Sequence, residues 1–241
     1  MNLIIDIGNT RIKVAVFNDS KLIYNEVITK NNFVKKVLKI LENYSCTDAI
    51  ISSVGNAKKN EIDEIKSKIN LIELNSDTKI PFKNHYSTPK TLGVDRIALV
   101  ASAIANYKNQ NVLIIDAGTC ITYDFVNNEN YYIGGAISPG ISLRYKSLNQ
   151  FTHKLPLLKP KMPTERIGNS TEESIHSGII NGVINEIDGA VLDYRKKNKE
   201  LTVVLTGGDA NFLSNKLKNS IFANPNFLLE GLNTILTYNL K

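Results

Sequence analysis

Cysteine is scarce in this chain, and long apolar runs are missing from it. Its only cysteines, Cys46 and Cys120, lie far apart and without the spacing of a zinc site, so we expect two buried free thiols. The longest apolar stretches, such as residues 111–117, are strand-sized and fall short of the roughly 20 residues that a membrane helix needs. The N-terminal residues lack the basic region and cleavage site of a secretory signal. We therefore expect a cytoplasmic protein that does not span a membrane.

Basic charge is present, but no segment concentrates it. The net charge is +6, yet the lysines are spread along the chain and only five residues are arginine. A nucleic-acid-binding surface needs a clustered basic patch with aromatic side chains for stacking, and the sequence shows neither. We therefore expect no nucleic-acid partner, and the charge is at most a minor argument for anionic substrates.

A pattern of three short strands joined by turns occurs twice. The predicted strands cover residues 2–7, 11–17 and 21–28, and then residues 112–117, 120–126 and 131–138. Both copies begin with an apolar strand that ends in aspartate and a glycine turn. This recurrence predicts a duplicated α/β unit. We predict two lobes, residues 1–107 and 108–241, with a ligand cleft between them.

Hydrophobic periodicity supplies the remaining predicted elements. Helices are predicted at residues 31–44, 58–69, 95–106, 140–151 and 170–196, with a short one ending near residue 217. Strands are predicted at residues 48–53, 71–74 and 201–206. A proline-rich loop is predicted at residues 156–163.

The first glycine turn carries residues suited to phosphate binding. They are Asp6, Ile7, Gly8, Asn9, Thr10, Arg11, Ile12 and Lys13. Glycine and small polar residues let backbone N–H groups approach phosphate oxygens, Asp6 could bind Mg²⁺ directly or through water, and Lys13 could offset phosphate charge. A plain hairpin with a turn glycine explains the same residues equally well. The second copy, Asp116 to Thr119, favours the phosphate interpretation, because two such turns facing across a cleft would form a clamp.

A third glycine motif, residues 205–210, joins a predicted strand to a predicted helix. Its backbone could lie beside a nucleotide, although a simple strand-to-helix turn explains the motif on its own. The chain has neither GxxxxGK[ST] nor a GxGxxG after a strand. P-loop and Rossmann interpretations are therefore disfavoured.

The order of these motifs and the residues in them resemble those of the type III pantothenate kinases, which belong to the actin, Hsp70 and sugar-kinase superfamily. The resemblance covers nearly the whole chain and includes further motifs: Tyr86 ahead of Gly93-Val94-Asp95-Arg96, Gly134 to Gly140, Leu155-Pro156, Gly168 to Thr171, and Leu229 to Leu232. It implies an α/β fold of two duplicated actin-like (ribonuclease H-like) domains, each a mixed sheet with helices. It also implies phosphorylation of pantothenate by ATP to 4'-phosphopantothenate, the first step of coenzyme A biosynthesis.

The resemblance also implies residue roles. Asp95 would be the catalytic base that takes the proton of the pantothenate hydroxyl. Taken alone, Asp95 and Arg96 fit a helix cap and a surface ion pair equally well. ATP contacts would come from residues 6–13 and Thr119, and pantothenate contacts from Tyr86, Gly93, Val94, Asp95, Arg96 and Thr171. Asp116 would ligate a monovalent cation, K⁺ or NH₄⁺, while Mg²⁺ would arrive with ATP.

A homodimer is the expected assembly, and the apolar helix near residues 170–192 is a candidate interface that core burial explains equally well. Cys120, where the family pattern has a small or apolar residue, is expected to fill core space. His85, His153 and His176 have no metal-binding spacing. His85 is expected at the surface or in a loop.

Two other functions compete with this interpretation. Another small-molecule kinase of the same broad fold would keep both phosphate turns without requiring the motifs at Tyr86, Asp95 and Thr171. A regulatory protein without catalytic activity would be expected to lose catalytic positions, whereas Asp6, Asp95, Asp116 and Thr119 are all present. The sequence therefore favours an active enzyme.

Overall fold

The computed structural model describes residues 1–9, 11–53, 58–219 and 221–241. The chain folds into two compact units. The first contains residues 1–109, 130–133 and 226–241, and the second contains residues 110–129 and 134–225. No helix in the described ranges is long and apolar enough to cross a membrane.

The described residues form eleven strands and seven α-helices. The strands are β1 (Asn2–Ile7), β2 (Ile12–Asn18), β3 (Lys21–Ile28), β4 (Asp48–Ser53), β5 (Asn70–Glu73), β6 (Lys83–Asn84), β7 (Asn111–Ala117), β8 (Cys120–Val126), β9 (Tyr131–Pro139), β10 (Leu201–Thr206) and β11 (Phe222–Ala223). The helices are α1 (Phe33–Asn43), α2 (Lys59–Lys66), α3 (Val94–Asn106), α4 (Ile141–Gln150), α5 (Thr171–Lys197), α6 (Ala210–Ser214) and α7 (Phe227–Asn239).

The two sheets repeat one strand order. The first sheet has the order β3-β2-β1-β4-β5, and the second has β9-β8-β7-β10-β11 with β6 added beside β9. Each contains an antiparallel hairpin, β1–β2 or β7–β8, whose first strand also pairs in parallel with β4 or β10. The shared order confirms the duplication predicted from the two strand patterns.

Alternation along β1 assigns its side chains to two faces of the first sheet. Leu3, Ile5 and Ile7 lie in the core formed with α1 and α2. The even-numbered residues point to the opposite face, where the Asn2 amide donates to Asn233 Oδ1 of α7 at 2.8 Å. Asp6 belongs to this second face, which is covered by α3 and α7.

Helix α3 is buried over residues 96–104. Small residues in this helix allow α7 to approach closely, and a Cβ added at Gly231 of α7 would overlap the carbonyl oxygen of Ala98. The last helix of the chain thus completes the packing of the first unit.

The core of the second unit forms around α5. Its apolar residues pack with those of β7, β10 and α4. Ser170 caps the helix by accepting a hydrogen bond from the backbone N–H of Glu173 at 3.2 Å, and Arg195, Lys196 and Lys197 complement the dipole in its last turn. The long helix predicted at residues 170–196 is therefore confirmed.

The prediction of two buried thiols is wrong. Cys46 is half-buried, and burial raises the pKa of its thiol. Cys120 is exposed, so it does not fill core space. The reason is its place at the first position of β8, where the next residue, Ile121, is the one that enters the core.

Candidate active site

Asp6 is a buried carboxylate flanked by two polar partners. It pairs in register with Ser52 of β4 on one side and Lys13 of β2 on the other. The Ser52 hydroxyl donates to Asp6 Oδ1 at 2.8 Å. Burial raises the pKa of Asp6, the Ser52 hydrogen bond and the charge of Lys13 oppose that rise, and the charge of Asp95 adds to it. Asp6 and Asp95 are therefore electrostatic neighbours within the first unit.

Asp95 lies in the first turn of α3, where the sequence places it. Its Oδ1 accepts a hydrogen bond from the backbone N–H of Arg96 at 2.8 Å, as a first-turn carboxylate at a helix N-terminus does. A Cβ added at Gly93 would overlap that same oxygen. Glycine at position 93 thus leaves room for the Asp95 carboxylate to lie over the start of the helix.

Arg96 is buried against two tyrosine rings. Its guanidinium carbon lies 5.5 Å from the ring centroid of Tyr86 and 6.0 Å from that of Tyr132, and the two rings stack with centroids 6.0 Å apart. Pairing of β6 with the start of β9 brings the tyrosines together, with Asn84 opposite Tyr132. The alternative of a surface ion pair for Arg96 is wrong, because only 5% of the residue is exposed.

Each of the two glycine turns is closed by a backbone hydrogen bond that the glycine donates. The N–H of Gly8 donates to the carbonyl oxygen of Arg11 at 3.0 Å, and the N–H of Gly118 donates to that of Cys120 at 2.9 Å. The second turn is therefore one residue shorter. In both turns, the glycine directly follows the strand that carries the aspartate.

The start of α4 supports the second turn. The N–H of Gly140 donates to the carbonyl oxygen of Thr119 at 3.0 Å. A Cβ added at Gly140 would overlap the carbonyl oxygens of Gly118 and Thr119. The conformation of the Thr119 turn therefore depends on the position of the chain at residue 140.

Asp116 is bordered by the third glycine motif. It lies in register with Thr206 of β10 and Thr122 of β8. Gly207 has φ +96° and packs so closely that a Cβ would overlap Asp116 Oδ1. The N–H of Asp209 donates to the carbonyl oxygen of Ala117 at 2.9 Å, and burial raises the pKa of Asp209. The motif at residues 205–210 thus packs directly on the second aspartate turn.

Thr171, the first residue of α5, lines a cavity of about 950 Å³ within the second unit. The cavity lies between α4 and α5, and its wall combines apolar side chains with hydroxyl, amide and guanidinium groups. The residues that line it are Arg144, Ser147, Leu148, Leu155, Gly168, Asn169, Ser170, Thr171, Ser174, Ile175, Gly178 and Ile179. Such a wall suits a small polar molecule or an apolar protein surface.

The predicted site residues are divided between the two units. The first unit holds residues 6–13, Tyr86 and residues 93–96, and the second holds Asp116, Thr119 and Thr171. Thr10 lies outside the described residues. Within the ranges that are described, no three His, Cys, Asp or Glu side chains are arranged to hold a metal ion.

Sequence reasoning missed two neighbours of the site, Ser52 and Tyr132. Ser52 had a usable signal, since it is the penultimate residue of the strand predicted at residues 48–53. Tyr132 had none, because its partner strand β6 is two residues long. His85, by contrast, is exposed as expected, with its ring centroid 4.5 Å from that of Tyr131.

A family model and a related sequence identify the same protein family. The family model described as type III pantothenate kinase matches residues 2–193. The type III pantothenate kinase of Flavobacterium johnsoniae is 47% identical over 241 residues, which cover 100% of this chain and 99% of that one.

Two solved structures share the fold. A conserved Campylobacter jejuni protein, proposed to be a Baf family transcriptional activator, has a TM-score of 0.65 at 21% identity and covers 99% of this chain and 98% of its own. A glucokinase from an Antarctic psychrotroph has a TM-score of 0.52 at 14% identity, covering 98% of each chain. At these identities the likeness concerns the fold alone, which is that of the sugar kinases.

Proposed function

The chain belongs to the type III pantothenate kinase family, which phosphorylates pantothenate in coenzyme A biosynthesis, and from that premise we propose how its residues carry out the reaction. ATP donates its γ-phosphoryl group to the primary hydroxyl of pantothenate, giving 4'-phosphopantothenate. The observation that carries the assignment of roles is the neighbourhood of Asp6, Asp95 and Arg96 on one face of the first sheet. The two lobes proposed from the sequence, residues 1–107 and 108–241, each supply one phosphate turn.

Asp95 acts as the general base. Its carboxylate is held at the start of a buried helix by the hydrogen bond from the N–H of Arg96, so its orientation is fixed before substrate binds. A positioned carboxylate can orient the pantothenate hydroxyl and accept its proton as the phosphoryl group arrives. The remaining contribution to catalysis is alignment and charge neutralisation.

Arg96 and Tyr86 bind pantothenate, together with Gly93, Val94 and Thr171. The stacked tyrosines hold the guanidinium of Arg96 in place, which reduces the conformational entropy that an arginine otherwise loses on binding. A fixed guanidinium suits a carboxylate, and pantothenate carries one. This arrangement supports the assignment of the carboxylate end of the substrate to Arg96.

ATP is bound by residues 6–13 and by Thr119. The glycine turns place backbone N–H groups and small side chains where phosphate oxygens can approach, and Lys13 adds positive charge beside Asp6. Asp6 fits a divalent cation, directly or through water, because its buried carboxylate has another carboxylate for a neighbour. Mg²⁺ held there with ATP would neutralise charge on the phosphates.

Asp116 ligates a monovalent cation, K⁺ or NH₄⁺. Support comes from its position at the end of β7, next to the Thr119 turn and against the backbone of Gly207. Carboxylate and carbonyl oxygens are the ligands that hard cations prefer. Asp116 would supply the charge, and the neighbouring backbone would supply carbonyl oxygens.

We also propose that the enzyme is a homodimer that works in the cytoplasm. Phe151, Leu157 and Ile167 are apolar residues that are 81%, 59% and 87% exposed, and all three lie in the stretch of chain between the start of α4 and the start of α5. Where exposed apolar side chains lie together, they mark association sites. A second copy of the chain is the occupant that the family expectation favours.

An ADP-release assay tests the proposed reaction. Purified protein is supplied with Mg-ATP and K⁺ and offered pantothenate, glycerol, glucose or N-acetylglucosamine in turn. We expect turnover with pantothenate alone, and a marked loss when Na⁺ replaces K⁺ and NH₄⁺. Turnover on a sugar alone would reject pantothenate as the substrate without affecting the fold assignment. No turnover on any of the four compounds would favour the regulatory interpretation. Full activity in Na⁺ would contradict the proposed role of Asp116.

A further inference from the structure

The side chain of Arg144 ties the first turn of α4 to the strand end that precedes it. Its Nε donates to the carbonyl oxygen of Pro139 at 2.8 Å, and its Nη2 donates to the hydroxyl oxygen of Ser138 at 3.0 Å. Both acceptors lie at the end of β9, immediately before Gly140. Arg144 therefore fixes the path of the chain from residue 138 to residue 140.

That path determines where the Thr119 turn lies. Gly140 donates its N–H to the carbonyl oxygen of Thr119, and its Cα packs so tightly on the turn that no side chain would fit between them. A shift at residues 138–140 would be transmitted to Thr119 by this contact. Through these contacts Arg144 is linked to Thr119, a proposed ATP contact.

Glu186, in the middle of α5, fixes the position of the Arg144 side chain. Glu186 Oε2 accepts from Arg144 Nη2 at 2.5 Å, and Oε1 accepts from the hydroxyl of Tyr123 on β8 at 2.9 Å. Although burial acts to raise the pKa of Glu186, hydrogen bonds from Arg144, Ser138 and Tyr123 together hold it below its ordinary value. The carboxylate is therefore charged at neutral pH and joins α5 and β8 to the β9–α4 turn.

We propose that Glu186 is a positioning residue for ATP, acting through Arg144 and residues 138–140 on the Thr119 turn. The inference rests on the proposed contact between Thr119 and ATP. It concerns the order of the turn before ATP binds, since a turn that is already fixed loses less conformational entropy on binding.

The partial exposure of the Arg144–Glu186 ion pair allows a positioning role to be distinguished from a purely structural one. The side chains of Arg144 and Glu186 are 22% and 32% exposed. Water partly screens an ion pair that is exposed to this extent, which reduces its contribution to global stability. Its loss should therefore appear in ATP binding and leave the unfolding temperature nearly unchanged.

The test compares Glu186→Gln with Asp193→Asn. Asp193 lies on the same helix and pairs with Lys196 on the exposed surface, away from the turn. Binding of a non-hydrolysable ATP analogue is measured by calorimetry, and KM is measured separately for ATP and pantothenate. We expect E186Q to bind the analogue roughly tenfold more weakly, with KM for ATP raised to match and KM for pantothenate within about twofold, because a turn that is no longer fixed loses more conformational entropy on binding. D193N should match the wild type.

Two further variants keep the test decisive. Tyr123→Phe removes only the second hydrogen bond to Glu186, so it should weaken analogue binding in the same direction by a smaller factor. Arg144→Lys should weaken binding about as much as E186Q, and the double variant should be no worse than either single one, since both act through one path.

The outcomes separate cleanly. Analogue binding by E186Q and Y123F within twofold of the wild type would overturn the proposal. So would a loss shared by D193N, a loss that accompanies a lowered unfolding temperature, or a change in KM for pantothenate alone. Failure of the wild type itself to bind the analogue would instead reject the proposed ATP site, and the positioning role with it.

Discussion

Asp6 is a single residue at which function and stability are opposed. Because its pKa is raised in the folded protein, the folded state binds a proton more tightly than the unfolded chain does. The ionised form therefore destabilises the fold, and stability falls as pH rises from the ordinary value of 3.8 through the raised pKa.

Asp6→Asn should remove this penalty while keeping an acceptor for the Ser52 hydroxyl. We expect the variant to be inactive yet more stable than the wild type at neutral pH, with the difference vanishing below pH 3.8. Each kcal/mol gained would raise the unfolding temperature by roughly 2–4 °C for a chain of this size. Thermal unfolding across pH checks this, with the exposed Asp77→Asn as control. A variant less stable than the wild type at neutral pH would contradict it.

Asp95 supports a sharper prediction about catalysis. Asparagine at position 95 keeps the oxygen that accepts from the N–H of Arg96, so the start of α3 should be unchanged, but it cannot take a proton. We expect kcat to fall by about 10²–10⁴-fold, with ATP binding and unfolding temperature retained. Steady-state kinetics measure the loss, and Asp63→Asn on the exposed side of α2 is the matched control. Near-normal turnover by D95N would remove Asp95 from the role of base.

At this scale the sequence predicts where Asp95 lies but not what surrounds Arg96. The GVDR motif correctly marks the start of a helix, because glycine and aspartate there satisfy local backbone requirements. The burial of Arg96 depends on Tyr132, which is distant in sequence and is brought close by the short pairing of β6 with β9. No local pattern can indicate such a contact.

Among the elements, the strand-to-helix turn after β10 allows a matched pair of substitutions. Gly207 has a positive φ, and a Cβ there would overlap Asp116 Oδ1 and the carbonyl oxygen of Ala117. Gly208, its neighbour, has open space around its Cα.

Gly207→Ala should destabilise the second unit by about 1–3 kcal/mol and weaken ATP binding, because both strain and overlap fall on the Asp116 turn. Gly208→Ala should change the free energy of unfolding by less than about 1 kcal/mol. Urea denaturation and analogue binding provide the measurements. Equal effects at the two positions would mean that the close approach to Asp116 is unimportant.

The elements themselves were predictable to different degrees. The two patterns of three short strands and helix α5 follow from local alternation and periodicity, and the structure has them. Helix α7 was not predicted, since buried apolar residues occur on most of its sides and leave no clear polar face. The helix predicted at residues 58–69 is shorter, ending at Lys66, where Ser67 forms its C-cap.

For the whole molecule, the exposed apolar residues Phe151, Leu157 and Ile167 lead to a prediction about assembly. Phe151→Asp should convert a dimer to monomers, because burying a new charge against a partner copy is costly. Phe222→Asp, at a residue 63% exposed on β11, should leave the dimer intact. Sedimentation analysis of both variants provides the test. A wild type that sediments as a monomer at micromolar concentration would reject the assembly.

The return of α7 to the first unit has a consequence for biosynthesis. Residues 1–109 leave the ribosome early, but the surface of α3 that packs against Gly231 stays uncovered until α7 has been made. At ~5–20 residues per second, synthesis of the 135 residues that follow α3 would leave that surface uncovered for ~7–27 s. The first unit of this enzyme therefore offers a binding surface to chaperones while translation is still in progress.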